Sequence, residues 1–225
     1  MNNNSDISLK IVVVGDTGNG KSSLIWRFCE GTFPNAEQSN ITVLNSIKSK
    51  AIQFGKKQLV IKFHDTAGQE RFRTISRSFY SSTDIIILTY DASVQASFEH
   101  VSLWYNEIQR YSNNPKLYIA LASTKSDLPA VVDSTLGQKL ADEKKIPFFE
   151  TSSLNNEGVD DLLQHVIKGA GEKIYTEENW NRFKVRNEKD HTASRKPTQM
   201  SSINTNNNNN NNNTEPKKSS FCIIL

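Results

Sequence analysis

Gly15-Asp-Thr-Gly-Asn-Gly-Lys21-Ser22 is the stretch that most limits what this chain can fold into, because it fits the pattern GxxxxGK[ST]. An apolar run, Ile7–Val14, leads into it, and a helical stretch from about Lys21 to Cys29 follows. Strand, glycine-rich turn and helix in that order confirm the motif's context. The glycines let backbone N–H groups curl around phosphate oxygens. Gly15, Asp16, Thr17, Gly18, Asn19, Gly20, Lys21, Ser22 and Ser23 are therefore the candidate phosphate-binding residues. Lys21 supplies charge for the β- and γ-phosphates, and the Ser22 hydroxyl is a ligand for Mg²⁺.

The pattern beyond the loop points to alternating strands and helices. Val43–Phe54 and Leu59–Phe63 are strand-like, with Gly55-Lys-Lys-Gln58 between them as a hairpin loop. Ile85–Tyr90 and Leu117–Ala122 are further strands, and Pro147–Glu150 is a short last one. Phe98, Val101, Leu103, Trp104, Ile108 and Tyr111 mark an amphipathic helix. Val159, Leu162, Leu163, Val166 and Ile167 line one face of a closing helix. This alternation predicts an α/β fold, with a mostly parallel sheet covered by helices on both faces. The Leu59 hairpin adds one antiparallel edge strand.

Charge and composition bound the partners. Residues up to 171 carry equal numbers of basic and acidic groups, so the net charge of +3 resides in the tail. A neutral body argues against nucleic acid, and a mildly basic tail suits an anionic membrane surface. The chain has 2 cysteines, Cys29 and Cys222, so a disulfide framework is not expected and the cytosol is the default compartment. Neither a signal peptide nor a membrane-spanning run is read from the sequence. From about Gly171 the chain loses its apolar residues and includes the asparagine run 206–213, so it reads as a disordered tether. The expected organisation is a disordered 1–6, a folded domain over 7–172 and a tail over 173–225.

A phosphate cradle alone leaves ATPases, kinases and GTPases open. Asp65-Thr-Ala-Gly-Gln69 follows a strand end. There Asp65 can reach Mg²⁺ through water, the Gly68 N–H can meet the γ-phosphate, and Gln69 can orient an attacking water. Thr124-Lys-Ser-Asp127 follows another strand. The Asp127 carboxylate can accept from guanine N1–H and the 2-amino group, a donor pair that adenine lacks. The Lys125 stem can lie along the base.

With these three motifs in this order, the chain resembles a small GTPase of the Ras superfamily over about residues 7–172. Asp65-Thr-Ala-Gly-Gln-Glu-Arg-Phe72 resembles the Rab form of the second switch. Glu150-Thr-Ser-Ser153 resembles the last guanine loop, so Thr124, Lys125, Asp127, Ser152, Ser153 and Leu154 are the candidate guanine contacts, with the Ser153 N–H toward O6. The resemblance implies a P-loop GTPase fold of six strands and a monomer that cycles between GTP and GDP with Mg²⁺. It implies effector, exchange-factor and GTPase-activating partners, the last supplying an arginine. Arg71 and Arg73 read as solvated helix charges.

Several positions depart from the family's pattern. The family carries a metal-binding Thr in the first switch, and the matching residue here is Asn40 within Glu37, Gln38, Ser39, Asn40, Ile41, Thr42, Val43, Leu44 and Asn45. Three readings stand: the Asn40 amide oxygen takes the metal, the loop shifts so that Thr42 does, or water completes the shell. Of three aromatic effector positions, Asn45, His64 and Phe79 here, only the last is aromatic. His64 reads as a strand residue packed beside the switch. Thr17, bulkier than Gly near the γ-phosphate, implies slow intrinsic hydrolysis. The chain ends Phe221-Cys-Ile-Ile-Leu225, a C-a-a-X box whose final Leu favours geranylgeranyl on Cys222. One lipid gives marginal anchoring, so attachment to the cytoplasmic face of a membrane is expected to be reversible. The reading is a prenyl-anchored switch in vesicle traffic. Its rivals are a membrane-tethered guanine-nucleotide-binding adaptor, favoured by Asn40, and a small-molecule kinase, disfavoured by Asp127.

Overall fold

The computed structural model of the chain describes residues 7–35, 47–54, 57–66, 80 and 82–174. Six strands form one sheet in the order β2-β3-β1-β4-β5-β6. They are β1 (Ile7–Val14), β2 (Ile47–Phe54), β3 (Lys57–Asp65), β4 (Ile85–Asp91), β5 (Tyr118–Thr124) and β6 (Phe148–Glu150). Every neighbouring pair is parallel except β2 with β3. The predicted sheet, parallel with one antiparallel edge, is therefore the observed one.

The helices are α1 (Lys21–Glu30), α2 (Gln95–Glu99), α3 (Val101–Tyr111), α4 (Ser134–Lys144) and α5 (Val159–Ile174). Strand alternation divides the core between the two faces of the sheet. Leu9, Ile11 and Val13 of β1 join Leu24, Ile25 and Phe28 of α1 and Leu162, Val166 and Ile167 of α5. Val12 and Val14 point the other way, joining Ile86, Leu88, Trp104 and Ile108. β4 is buried along its whole length, the mark of a central parallel strand. α1 is too short to be stable alone. Burying Leu24, Ile25 and Phe28 contributes roughly 5–9 kcal/mol toward holding it in place.

Some boundaries differ from the sequence reading. The hairpin loop is shorter than Gly55–Gln58, because Lys57 and Gln58 pair with Phe54 and Gln53 in the ladder. β5 runs on through Thr124, which pairs with Asp91, so the guanine motif begins inside the strand. The single amphipathic helix is two, divided at His100, and Leu103 lies 60% exposed off the buried face. α4 was not anticipated. α5 continues through Gly171, which is buried, to Ile174, two residues past the expected domain end at 172. Residues 37–45, Gly68, Gln69, Arg71, Arg73, Phe79 and Cys222 lie outside the described residues, as do 1–6 and the chain beyond 174.

Candidate functional site

The carboxyl ends of the parallel strands meet along one edge, with β1 at the point where the strand order turns. Ligands of open α/β sheets bind at such an edge. Register places Asp65 beside Val13 and Asp91 beside Thr124. The loops after β1, β4, β5 and β6 therefore approach one another beside the end of β3.

The loop after β1 is shaped by close backbone approach. Gly15 has φ 148°, and a Cβ there would fall 2.4 Å from the Thr89 carbonyl oxygen, so only glycine fits. Gly20 caps α1 in the left-handed region at φ 75°, with no side-chain cap on the helix and no acidic residue in its first turn. The first turn of α1 turns the positive end of the helix dipole to the loop, a ready anion site. Lys21 is 3% exposed and its ammonium donates to the carbonyls of Gly15 at 2.9 Å and Asp16 at 2.8 Å. The charge is thus held across the cradle. Ser22 and Ser23 follow in the first turn, both half-buried, while Thr17 and Gly18 are exposed.

The side chains of two loop residues are turned to the protein. The Asp16 carboxylate turns from the cradle, accepting from Trp104 Nε1 at 2.8 Å and lying 2.6 Å from His100 Nδ1. A carboxylate aimed at phosphate would repel it, so only the Asp16 backbone remains available there. Asn19 is 2% exposed, and its amide donates to the Thr89 carbonyl at 3.0 Å. Its side chain braces the loop instead of meeting a ligand.

The guanine motif is pinned to this cradle. Thr124 Oγ1 lies 2.8 Å from the Asn19 carbonyl oxygen and 2.9 Å from that of Tyr90. The Thr124 hydroxyl thus joins the end of β5 to the loop after β1 and to β4. Lys125 adopts φ 58° and its ammonium sits 2.6 Å from Asp91 Oδ2. Burial alone would raise the Asp91 carboxyl, but the Lys125 ammonium and the Ser93 N–H and O–H bring it below the usual carboxylate range. The half-buried Asp127 carboxylate accepts from Ser152 Oγ at 2.6 Å, which fixes its plane. Ser153 and Leu154 turn their carbonyls to Arg27, at 2.7 Å from Nε and 2.7 Å from Nη2. The Leu154 side chain is 51% exposed.

The residues present fit a magnesium ion. Ser22, in the first turn of α1, and the buried Asp65, beside Val13 at the end of β3, are hard oxygen donors. Among the described residues no group of three or more His, Cys, Asp or Glu could hold a metal. His64, in β3, is half-buried, and burial, then Lys10 and Lys62, pushes its imidazole below the ordinary value.

Sequence reasoning missed Asp91, Arg27 and the His100–Trp104 clamp on Asp16. Each acts across a long separation in the chain, and no local motif announces it.

A glycine-rich loop between β1 and α1, with a buried lysine across it at the sheet's carboxyl edge, defines a P-loop nucleotide-binding protein. The sequence model of the Ras family matches residues 10–172. "GTP-binding protein YPT1" of Saccharomyces cerevisiae is 37% identical over 183 residues, covering 80% of this chain and 87% of its own length. "GTP-binding protein YPTM2" of Zea mays is 40% identical over 176 residues, covering 77% of this chain and 85% of its own. The chain belongs to the Rab family of small GTPases, within the Ras superfamily.

Proposed function

We propose that this chain is a GTP/GDP switch with slow Mg²⁺-dependent hydrolysis, tethered to membranes by a prenyl group on Cys222 and serving vesicle traffic. The observation that carries it is the Asp127 carboxylate, held by Ser152 beside a cradle that Thr124 ties to the same loop. That arrangement suits a nucleotide whose base offers two adjacent donors. The names of the two relatives, both GTP-binding, support the same ligand. Ser22 and Asp65 would hold a Mg²⁺ ion, which would supply positive charge against the phosphates.

The described residues bind and orient. Lys21 and the first N–H groups of α1 hold the phosphates, and Ser22 and Asp65 hold the ion. Outside the described residues, Gln69 is assigned to orienting the attacking water and the Gly68 N–H to meeting the γ-phosphate. Thr17 keeps unassisted turnover well below about one per minute, the scale of unassisted small GTPases. Single-turnover hydrolysis measures this, and rapid turnover refutes it. Attachment to the membrane is reversible, because one lipid chain with only Lys217 and Lys218 nearby is a weak anchor. Among the described residues no helix is long and apolar enough to cross a membrane. If Cys222→Ser left membrane fractionation unchanged, the anchor would be wrong.

Asn40 in the first switch favours a second reading, a tethered guanine-nucleotide-binding adaptor. Hydrogen exchange separates the two, comparing Mg²⁺·GDP with Mg²⁺ and a non-hydrolysable GTP analogue. A switch gains protection in both 33–48 and 65–80 with the analogue. Protection confined to 65–80, or absent from both, supports the adaptor.

A further inference from the structure

Arg27 has no part in the phosphate cradle, yet it makes three hydrogen bonds to backbone carbonyls. Nε donates to Ser153 at 2.7 Å, Nη2 to Leu154 at 2.7 Å and Nη1 to Gly31 at 2.8 Å. Gly31 caps the end of α1, and Ser153 and Leu154 lie more than a hundred residues further on. The guanidinium therefore joins the far end of the phosphate-binding helix to the last guanine loop.

The consequence follows from the planarity of the peptide. In a trans peptide the C=O and the following N–H point in opposite directions. With its carbonyl drawn to Arg27, the Leu154 peptide must aim the Asn155 N–H the other way. That N–H donates to Ser152 Oγ at 3.1 Å, and Ser152 Oγ donates to Asp127 Oδ1 at 2.6 Å. One uninterrupted chain thus runs from Arg27 through a single peptide plane and a hydroxyl to the base-reading carboxylate. The Asn155 N–H occupies one lone pair of Ser152 Oγ, so the hydroxyl proton is directed to Asp127. Three fixed donors of a planar fork can set two carbonyls at once, whereas a lysine ammonium acts as a point charge.

We infer that Arg27 is a positioning residue for guanine recognition, aiming Asp127 through the Leu154–Asn155 peptide and Ser152. The inference rests on the guanine-binding reading above. It assigns no contact between Arg27 and the nucleotide. It states that the orientation of Asp127, and with it discrimination for the 2-amino group of guanine, depends on a residue of α1.

The test is the ratio of affinities for GDP and inosine diphosphate, which lacks only the 2-amino group. It is measured on the full chain with Mg²⁺ by titration for wild type, Arg27→Ala and Arg27→Lys. Arg27→Ala should lower the GDP preference by about tenfold, the scale of one weakened hydrogen bond to a charged group. Arg27→Lys should keep the charge and still lose most of that preference. If Arg27→Ala does not fold, Arg27→Lys carries the same readout. Equal weakening of both nucleotides, with or without a lower melting temperature, would mean Arg27 merely supports the fold and would overturn the inference. So would an unchanged ratio. A wild type that binds neither nucleotide, or binds both alike, would overturn the guanine reading and this inference with it.

Discussion

In the proposed function, Asp127 is the single residue that decides the ligand. Its carboxylate has one oxygen held by Ser152, leaving its remaining lone pairs to the base. Asp127→Asn keeps the Ser152 contact but puts an N–H₂ group opposite the donors of guanine. GDP affinity should fall by about a hundredfold or more, the cost of an unpaired donor in a site built for an acceptor. Xanthosine diphosphate, with a carbonyl where guanine has its amine, should then bind more tightly than GDP. Competition titration checks both, and unchanged GDP binding would contradict the assignment. Asp127 was legible in the sequence because Thr-Lys-Ser-Asp is a compact signature, and so were Lys21 and Ser22. The direction of the Asp16 side chain was not legible: His100 and Trp104, far along the chain, claim its carboxylate and leave only its backbone to the cradle. No local pattern distinguishes a loop residue that faces the ligand from one that faces a neighbouring helix.

At the scale of the element, β1, β4 and α5 were legible because long apolar runs and a helical stripe have no rival reading. α4 was not. Its buried positions include Gly137 and Ala141, too small to draw a stripe, while Leu136 on the same helix is 45% exposed. The helix is set locally by Asp133, whose carboxylate accepts from the Thr135 N–H at 2.8 Å, and by tight packing at Gly137. A Cβ at Gly137 would meet Tyr90 Oη at 2.3 Å and Phe148 Cζ at 2.7 Å. Helix propensity alone favours alanine there by about 1 kcal/mol. Overpacking costs typically about 1–3 kcal/mol, and both obstructing rings belong to the core. The clash should win, so Gly137→Ala should lower the melting temperature by a few degrees, of order 2–4 °C per kcal/mol. A higher melting temperature would show that the rings yield and propensity decides.

At the scale of the molecule, Asp91, Asp84 and Glu107 contribute to how stability depends on pH. Asp91 lies below the usual range despite burial, because Lys125 and Ser93 hold its charged form. Its contribution is therefore present above the unfolded pKa of about 3.9 and is lost as pH falls through the folded value. Burial raises Asp84 and Glu107, only partly offset by Lys10 and by Tyr80 respectively. Those two have the opposite sign: they favour folding most at low pH, and that help is lost as pH rises through their folded values. The difference in urea midpoint between wild type and Asp91→Asn isolates the first effect. It should be largest above about pH 4 and shrink below it. A difference constant from pH 3 to pH 6 would contradict the Lys125 pairing. This pairing also joins two strand ends at the sheet's carboxyl edge, where the site as a whole was legible from motif order and the bonds that fasten it were not.

All of this depends on one claim, that the cradle and Asp127 together select a guanine nucleotide. The most direct measurement is titration of GDP and ADP into the nucleotide-stripped full chain with Mg²⁺. The two share phosphates and ribose, so Lys21, Ser22 and Asp65 treat them alike and only the base differs. GDP should bind at least about a thousandfold more tightly, because adenine leaves the carboxylate without its donor pair. Comparable affinities would show that the phosphates alone are recognised, and the chain would not be a guanine-nucleotide switch.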